Sequence, residues 1–133
     1  MTQALLLAGD YYHNPQFAFD GVGAALRAQE IEVVCTTDYA ALGAEALAGV
    51  QMLVILRDGI QFPDGPDAPP VVWMQPAQED AIEQFVLGGG AFLALHNAGW
   101  AYPTKGGYRR TLGGYYIGHP PYARFAVEVV NHE

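Results

Sequence analysis

Polar and titratable side chains follow short apolar runs at five places in this 133-residue sequence. The five stretches are 9–13, 36–38, 57–59, 96–98 and 131–132. Three of them contain a histidine, and an imidazole can accept or donate a proton near neutral pH. The side chains best suited to acid and base chemistry therefore lie where apolar runs end.

The stretch around His96 carries the most specific pattern. Three glycines at 88–90 lead into the apolar run 91–95, which delivers His96 at a sharp exit beside small residues. This is the layout of a nucleophile elbow, with histidine in place of serine or cysteine. His96 is a candidate general base, metal ligand or donor to a substrate oxygen; alternatively, backbone carbonyls hold it at a strand end. Asn97 either offers its amide to a hydroxyl group or tolerates a left-handed backbone.

Three further side chains are candidates to act with His96. His119 lies in a Gly-His-Pro-Pro sequence, whose prolines could fix the imidazole over a pocket. His13 is either an acid–base partner or a residue at the start of a helix. Asp58 either orients a histidine or is a solvated carboxylate beside Arg57. We expect His96 to act as base, with His119 or His13 as acid or orienting group.

No cofactor is predicted, and a zinc or other divalent metal site formed by histidines at one end of the sheet is the less favoured alternative. The four histidines are irregularly spaced, and the sequence has neither a His-x-x-x-His pair nor a cysteine cluster. Aromatic residues accompany the histidines: Tyr11, Tyr12, Trp100, Tyr102, Tyr108, Tyr115, Tyr116 and Tyr122. Such rings suit the faces and hydroxyl groups of sugars, but they also serve protein interfaces. We expect Tyr12, Trp100 and Tyr102 to contact a ligand.

Four apolar runs without polar alternation are typical of strands buried on both faces of a parallel sheet. They lie at 4–8, 31–35, 52–56 and 91–95. Amphipathic helical patterns lie between them, at 18–26, 42–47 and 81–86. This alternation predicts an α/β, flavodoxin-like, doubly wound and mostly parallel sheet with helices on both faces and strand order 2-1-3-4. Ligands bind beyond the carboxyl ends of the strands in such sheets.

Less regular segments complete the predicted fold. Polar and apolar residues alternate over 123–130, which predicts a fifth strand at a sheet edge. The segment 57–70 holds four prolines and is expected to be an exposed, irregular loop, which could act as a lid. A short helical turn is expected near 108–112, and Glu79 is expected to face outward from the third helix.

Composition restricts the class of protein. The formal charge of −8 and the lack of a basic cluster argue against nucleic acid and anionic membranes as partners. The first residues form neither a signal peptide nor a membrane span, and Cys35 has no second cysteine to pair with. We therefore expect a cytoplasmic protein.

Two segments resemble the ThuA-like (trehalose utilisation) family of the class I glutamine amidotransferase-like superfamily. They are 79–98, with its triple glycine and Leu-His-Asn-Ala, and 112–121, which ends in Gly-His-Pro-Pro. The resemblance implies a flavodoxin-like fold and a role in sugar metabolism, with His96 where glutamine amidotransferases carry their catalytic cysteine. Glutaminase chemistry needs a thiolate, and Cys35 belongs to another predicted strand, so the protein is not expected to be a glutaminase.

The resemblance and the residues together predict a function. Because family members continue beyond the point that matches 131–133, we expect a single ThuA-like domain at 1–133 without the family's C-terminal segment. It is expected to bind a small sugar or oxidised sugar at the strand carboxyl ends, with histidine-based chemistry of hydrolase or isomerase type. The alternative is a non-catalytic scaffold or interaction domain. Either way, a homo-oligomer is expected.

Overall fold

A computed structural model describes residues 2–130 of the chain. These residues form six strands and three helices in the order β1 (Gln3–Ala8), α1 (Pro15–Arg27), β2 (Glu32–Thr36), β3 (Met52–Leu56), β4 (Ile60–Gln61), β5 (Val71–Val72), α2 (Pro76–Leu87), β6 (Ala91–Ala94) and α3 (Gly107–Leu112). A 3₁₀ turn, His96–Gly99, follows β6.

Four of the strands form the predicted parallel sheet, in the order β2-β1-β3-β6. The register pairs Leu5 with both Val34 and Leu53, and Leu53 in turn with Phe92. The two central strands have the most continuous apolar runs because neighbouring strands and both sheet faces enclose them. The predicted strand order is confirmed.

The two faces of the sheet are covered by different helices. Because β1 crosses to β2 in one direction and β3 crosses to β6 in the other, right-handed connections place α1 and α2 on opposite faces. Leu5, Leu7, Leu53 and Ile55 join one core cluster with Ile82 of α2 and Tyr108 of α3. Leu6 and Val54 point to the other face and are fully buried there. The fold is therefore the predicted α/β arrangement.

Helices α1 and α2 begin at recognisable sequence signals. The side chain of Asn14 accepts a hydrogen bond from the Gln16 N–H, and Pro15 occupies the first turn of α1. Before α2, the Gln75 N–H donates to the side chain of Gln78, as in half of a capping box. The nitrogen of the Gln78 amide also donates to the Leu42 carbonyl, which joins α2 to the loop after β2.

Glu79 does not face outward as predicted. Its side chain is buried against α3 and accepts a hydrogen bond from the Tyr108 N–H at 3.3 Å. Burial raises the pKa of this carboxyl above its ordinary value, which the hydrogen bond from Tyr108 only partly opposes. The helical pattern could not reveal this, because α3 packs over that side of α2 from far along the chain.

Two predicted elements are absent from residues 2–130. The segment 42–47 forms successive turns rather than a helix, although Asp38 caps its start and Leu42 and Leu47 are buried. The segment 123–130 is exposed and forms no strand. Alternation marks a residue pattern fit for a strand, but a strand also needs a paired neighbour, and this segment has none among the described residues.

The predicted loop 57–70 is only partly irregular. Its first three residues are buried, and Ile60–Gln61 pairs antiparallel with Val71–Val72 as a small separate sheet. The residues between these two strands form the turns that the prolines predict. A role of this segment as a lid stays a prediction.

Candidate active site at the carboxyl ends of the strands

His96 occupies the predicted elbow directly beyond β6. Its backbone has φ 51°, a left-handed conformation that is uncommon for a residue other than glycine. The turn is held by the Ala98 N–H, which donates to the Leu95 carbonyl at 3.0 Å, and by the Tyr108 hydroxyl, which donates to the Ala98 carbonyl at 2.7 Å. The side chain of His96 is exposed above the sheet.

Asp10, beyond β1, is the hub of the site. One carboxylate oxygen accepts from the N–H groups of Tyr12 and His13 and from Nδ1 of His13, at 2.9, 3.0 and 2.8 Å. The other accepts from the Asp58 N–H at 3.1 Å and from the Asn97 amide nitrogen at 2.6 Å. Asp10 therefore connects the exits of β1, β3 and β6.

The electrostatics of Asp10 favour its ionised form. Its side chain is fully buried. Burial alone would raise the pKa of this carboxyl, but hydrogen bonds from His13, from the N–H groups of Tyr12 and Asp58, and from Asn97 together hold it below its ordinary value. The buried carboxylate is thus charged at neutral pH, with all its contacts coming from donors.

The charge on Asp10 fixes the tautomer of His13. An ionised carboxylate can only accept, so Nδ1 of His13 carries a proton and Nε2 faces His96. The Nε2 atoms of His13 and His96 lie 3.1 Å apart, with the rings nearly perpendicular at 82°. One proton between these two nitrogens gives a hydrogen bond in either direction. Asp10, His13 and His96 therefore form a line along which one proton can shift.

Asn97 and Asp58 both donate hydrogen bonds to Asp10, which is not the role predicted for either of them. Asn97 is buried; its amide nitrogen donates to Asp10 and lies 3.0 Å from Nδ1 of His13. The left-handed residue is His96, not Asn97. Asp58 is buried and touches Asp10 through its backbone; one carboxylate oxygen accepts from the Ile60 N–H. The orienting carboxylate is Asp10, so the placement predicted for Asp58 is wrong.

Burial also sets the ionisation of Asp58. Desolvation, and next the negative charge of Asp10, raise the pKa of this carboxyl above its ordinary value. The hydrogen bond from the Ile60 N–H, and after it the nearby Arg57, oppose that rise in pKa. The Arg57 guanidinium lies 4.0 Å from the centre of the Tyr39 ring and donates to the Gly9 carbonyl. The pKa of Asp58 is therefore raised, whereas that of the neighbouring Asp10 is lowered.

A cavity of about 920 Å³ opens over the His13–His96 pair. Its lining comprises Tyr12, His13, His96, Asn97, Trp100, Tyr116, His119, Pro120, Pro121, Tyr122, Ala123 and Phe125. Aromatic rings and imidazoles dominate the list, and none of these side chains is a carboxylate, an ammonium or a guanidinium. The cavity therefore suits a ligand that combines apolar faces with hydrogen-bonding groups.

His119 reaches this cavity from the segment after α3. The Tyr116 N–H donates to the Gly99 carbonyl at 2.9 Å, which ties the start of that segment to the elbow. The His119 ring stacks on Tyr116 at 6.1 Å between centroids, and its Nδ1 lies 2.8 Å from the Pro120 carbonyl oxygen. Nδ1 therefore carries a proton, and Nε2 is left for a ligand.

The structure brings together most of the residues that sequence patterns singled out, and the two exceptions are Asp58 and Tyr102. His13, His96, Asn97, His119, Tyr12 and Trp100 border one cavity. Tyr102 does not, because it lies in the core and its hydroxyl donates to the Arg57 carbonyl at 2.8 Å. The stretch 131–132 lies outside the described residues. Cys35 is on β2, at the opposite edge of the sheet from β6.

Asp10 is the residue of the candidate site that the sequence patterns missed. It lies in the stretch 9–13, three residues before His13, so an acidic residue at the exit of β1 was the available signal. Within residues 2–130, no group of three or more His, Cys, Asp or Glu side chains is arranged to hold a metal ion. None of the helices in this part of the chain is long and apolar enough to cross a membrane.

Comparisons with known proteins agree with the fold. The profile of a family described as trehalose utilisation (ThuA) matches residues 3–133. A crystal structure of a ThuA-like protein from Bacteroides uniformis superposes with a TM-score of 0.53 at 19% sequence identity. The match covers 85% of this chain and 44% of that protein, so the chain spans less than half its length. No curated protein matches the chain.

Proposed function

Because the chain belongs to the trehalose utilisation (ThuA) family, we propose that it binds a small carbohydrate over the His13–His96 pair and transfers a proton to or from it. The observation that carries the proposal is the line from Asp10 through His13 to His96 beneath an aromatic cavity. Sugars offer apolar ring faces to Tyr12 and Trp100 and hydroxyl groups to the imidazoles.

The order of hydrogen bonds suggests how the histidines would act. When both imidazoles are neutral, His13 Nε2 accepts from His96 Nε2, which leaves Nδ1 of His96 as the basic nitrogen of that ring. A proton taken up by His96 makes an imidazolium, which can pass its Nε2 proton to His13. The positive charge would then lie beside the Asp10 carboxylate, which stabilises it.

His119 would serve as a further imidazole in the lining of the same cavity. Its Nδ1 is occupied by the Pro120 carbonyl, so Nε2 can accept from or donate to a sugar hydroxyl. Proton removal at His96 and proton delivery near His119 are the two halves of an isomerase or hydrolase reaction. A glutaminase is not proposed, because the elbow carries an imidazole instead of a thiol.

Substitution of His96 tests the proposal. In His96→Ala, binding of glucose or of trehalose, followed by nuclear magnetic resonance titration, should fall below detection. His96→Asn is the second variant, because asparagine accepts a left-handed backbone and keeps the elbow folded. Gln29→Ala, on an exposed residue next to α1, should bind like the unaltered protein. Sugar binding that persists in both His96 variants would refute the proposal.

A second candidate function is an interaction domain without catalysis. The observation that favours it is the exposed apolar segment 123–130, which includes Phe125, Val127 and Val129. Apolar surface on an unpaired extended segment tends to find a partner. A protein that forms complexes through this segment and binds no sugar in the titration would support the second candidate over the first.

A further inference from the structure

A second, smaller cavity lies at the exits of β1 and β3. Its volume is about 290 Å³, and among residues 2–130 its lining shares no side chain with that of the large cavity. β1 and β3 are neighbours in the sheet whose connections leave toward opposite faces, the position at which open α/β sheets bind ligands. The cavity therefore has the place of a ligand site, and the proposed function does not use it.

Arg57 brings an unpartnered N–H group to this lining. The residue is only 6% exposed. Its Nη1 donates to the Gly9 carbonyl, and its guanidinium carbon lies 4.0 Å from the centre of the Tyr39 ring. Nε is buried and has no hydrogen-bond partner among the described residues. Because a buried charged donor without an acceptor is costly, an acceptor supplied by a ligand would stabilise this nitrogen.

Further donors and an apolar wall surround the guanidinium. The amide oxygen of Gln61 accepts from the Tyr39 hydroxyl, which leaves the amide nitrogen as a donor. Thr37 adds an exposed hydroxyl, and Phe62 adds an aromatic ring. The Asp10 carboxylate also belongs to the lining, but it already accepts five hydrogen bonds from the protein. The lining therefore offers one cationic group and neutral donors beside apolar surface.

Backbone donors at the exit of β1 are largely engaged by the protein itself. The N–H groups of Tyr12 and His13 both donate to Asp10. The Gln16 N–H donates to the cap of α1, and Pro15 has no N–H to offer. A phosphate site at such a turn uses several backbone N–H groups, and the ionised Asp10 repels a dianion more than a monoanion. The cavity thus suits a carboxylate better than a phosphate.

We infer that the small cavity binds a small aliphatic carboxylic acid in its ionised form. One carboxylate oxygen would accept from Nε of Arg57, and the hydrocarbon part would pack on Phe62. The bond to Arg57 would be charge-assisted, which makes it stronger than a bond to a neutral acceptor of the same shape. The inference goes beyond the proposed function, because it concerns a different cavity and holds whether or not a sugar binds over His96.

The test compares butyrate with butyramide, a neutral molecule of nearly the same shape, in nuclear magnetic resonance titrations. Butyrate should shift the Nε–H resonance of Arg57, and butyramide should bind at least about tenfold more weakly. Arg57→Lys should also weaken butyrate binding about tenfold, since lysine keeps the charge but lacks Nε. Thr37→Val should weaken it about fivefold through the lost hydroxyl. Thr104→Val is the matched control, because Thr104 is exposed and lines neither cavity.

Several results would overturn the inference. They are equal affinity for butyrate and butyramide, a butyrate response that leaves the Arg57 Nε–H resonance in place, and butyrate binding that Thr37→Val does not weaken. Inorganic phosphate that binds more tightly than butyrate would overturn the assignment to a carboxylate. If Arg57→Lys does not fold, the Nε–H response of the unaltered protein and the Thr37→Val titration still decide the matter. The sugar titrations of the His96 variants are independent of these results.

Discussion

Asp10 decides the chemistry of the histidine pair, and its replacement should be visible at His13. In Asp10→Asn, the amide oxygen keeps the place that faces the Tyr12 and His13 N–H groups, but the negative charge that holds the proton on Nδ1 of His13 is lost. We expect the ¹⁵N spectrum of His13 to shift from the Nδ1–H tautomer toward a larger share of the Nε2–H tautomer. Loss of a buried, multiply bonded carboxylate should also lower the free energy of unfolding by about 2 kcal/mol.

The control for this prediction is Asp20→Asn on α1. Asp20 is exposed and accepts one hydrogen bond, from the Gln16 side chain at 2.8 Å. Its replacement should leave the His13 spectrum unchanged. The free energy of unfolding should stay within about 0.5 kcal/mol of that of the unaltered protein. An unchanged His13 tautomer in Asp10→Asn would contradict the role assigned to Asp10, whatever happens to stability.

Asp58 and Asp10 should affect the free energy of unfolding with opposite dependences on pH. Burial and the Asp10 charge raise its pKa above the model-compound value of 3.8, so the folded state binds this proton more strongly than the unfolded state does. The stabilisation from Asp58 is thus fully present below pH 3.8 and is lost as the pH rises through its folded-state pKa. Asp58→Asn should therefore gain stability, relative to the unaltered protein, as the pH rises from 3 to 7.

Urea unfolding at several pH values measures this prediction. Asp10 provides the internal comparison, since its lowered pKa makes its stabilisation present at neutral pH and lost as the pH falls. Asp10→Asn should accordingly lose stability, relative to the unaltered protein, as the pH rises over the same range. If Asp58→Asn shows the same pH trend as Asp10→Asn, the assignment of raised and lowered pKa values is wrong.

Residue patterns in the sequence located the histidines but not their shared partner. His96 was recognisable because a glycine turn, an apolar strand and small residues surround it within one short stretch. Asp10 was not, because its bonds to Asp58 and Asn97 link positions 48 and 87 residues away. Tyr102 and Asp58 were misplaced for the same reason: whether a polar side chain is buried depends on distant segments packed over it.

Among the strands and helices, too, the elements set by local sequence were predicted, and those that depend on distant segments were not. Continuous apolar runs predicted the four parallel strands, since burial on both faces leaves a mark within each run. The helix expected at 42–47 failed because the segment forms successive turns, which bury Leu42 and Leu47 with one helix-type hydrogen bond, from the Leu47 N–H to the Gly43 carbonyl at 3.1 Å. The strand expected at 123–130 failed because pairing requires a neighbour, which no local pattern supplies.

The connection after β3 makes a specific prediction about packing between elements. Gly59 donates its N–H to the Trp100 carbonyl at 2.9 Å, and its carbonyl accepts from the Trp73 N–H at 3.1 Å. A Cβ atom at Gly59 would lie 2.4 Å from the carbonyl oxygen of Ala101, which is backbone and cannot move away cheaply. Gly59→Ala should therefore lower the free energy of unfolding by about 2 to 3 kcal/mol.

Gly21→Ala is the matched control for Gly59→Ala. Gly21 lies within α1, and a Cβ atom there would meet nothing within 4 Å. Because alanine favours helix more than glycine does, this change should raise the free energy of unfolding by about 0.5 to 1 kcal/mol. If thermal or urea unfolding shows that both substitutions change the free energy of unfolding in the same direction, the Gly59 backbone does not hold the 100–102 segment as described.

The whole molecule exposes two features that a second copy could cover. β6 ends the sheet, with one neighbour among the described strands, and the segment 123–130 carries an alternating apolar row in the open. Val127 is 77% exposed and Val129 is 62% exposed. An unpaired sheet edge and an unpaired apolar segment of strand-like composition are each prone to pair with another chain. We therefore predict that the protein associates with itself through these two features.

Light scattering at several protein concentrations measures this association. The unaltered protein should give at least twice the 14.3 kDa mass of the chain. Val127→Lys should lower the mass toward that of one chain, because a charged side chain in the apolar row opposes burial against a second copy. Phe17→Lys, at an 81% exposed position on α1, should leave the mass unchanged. A monomer at high concentration, or a mass that Val127→Lys does not lower, would place the apolar segment outside any interface between copies.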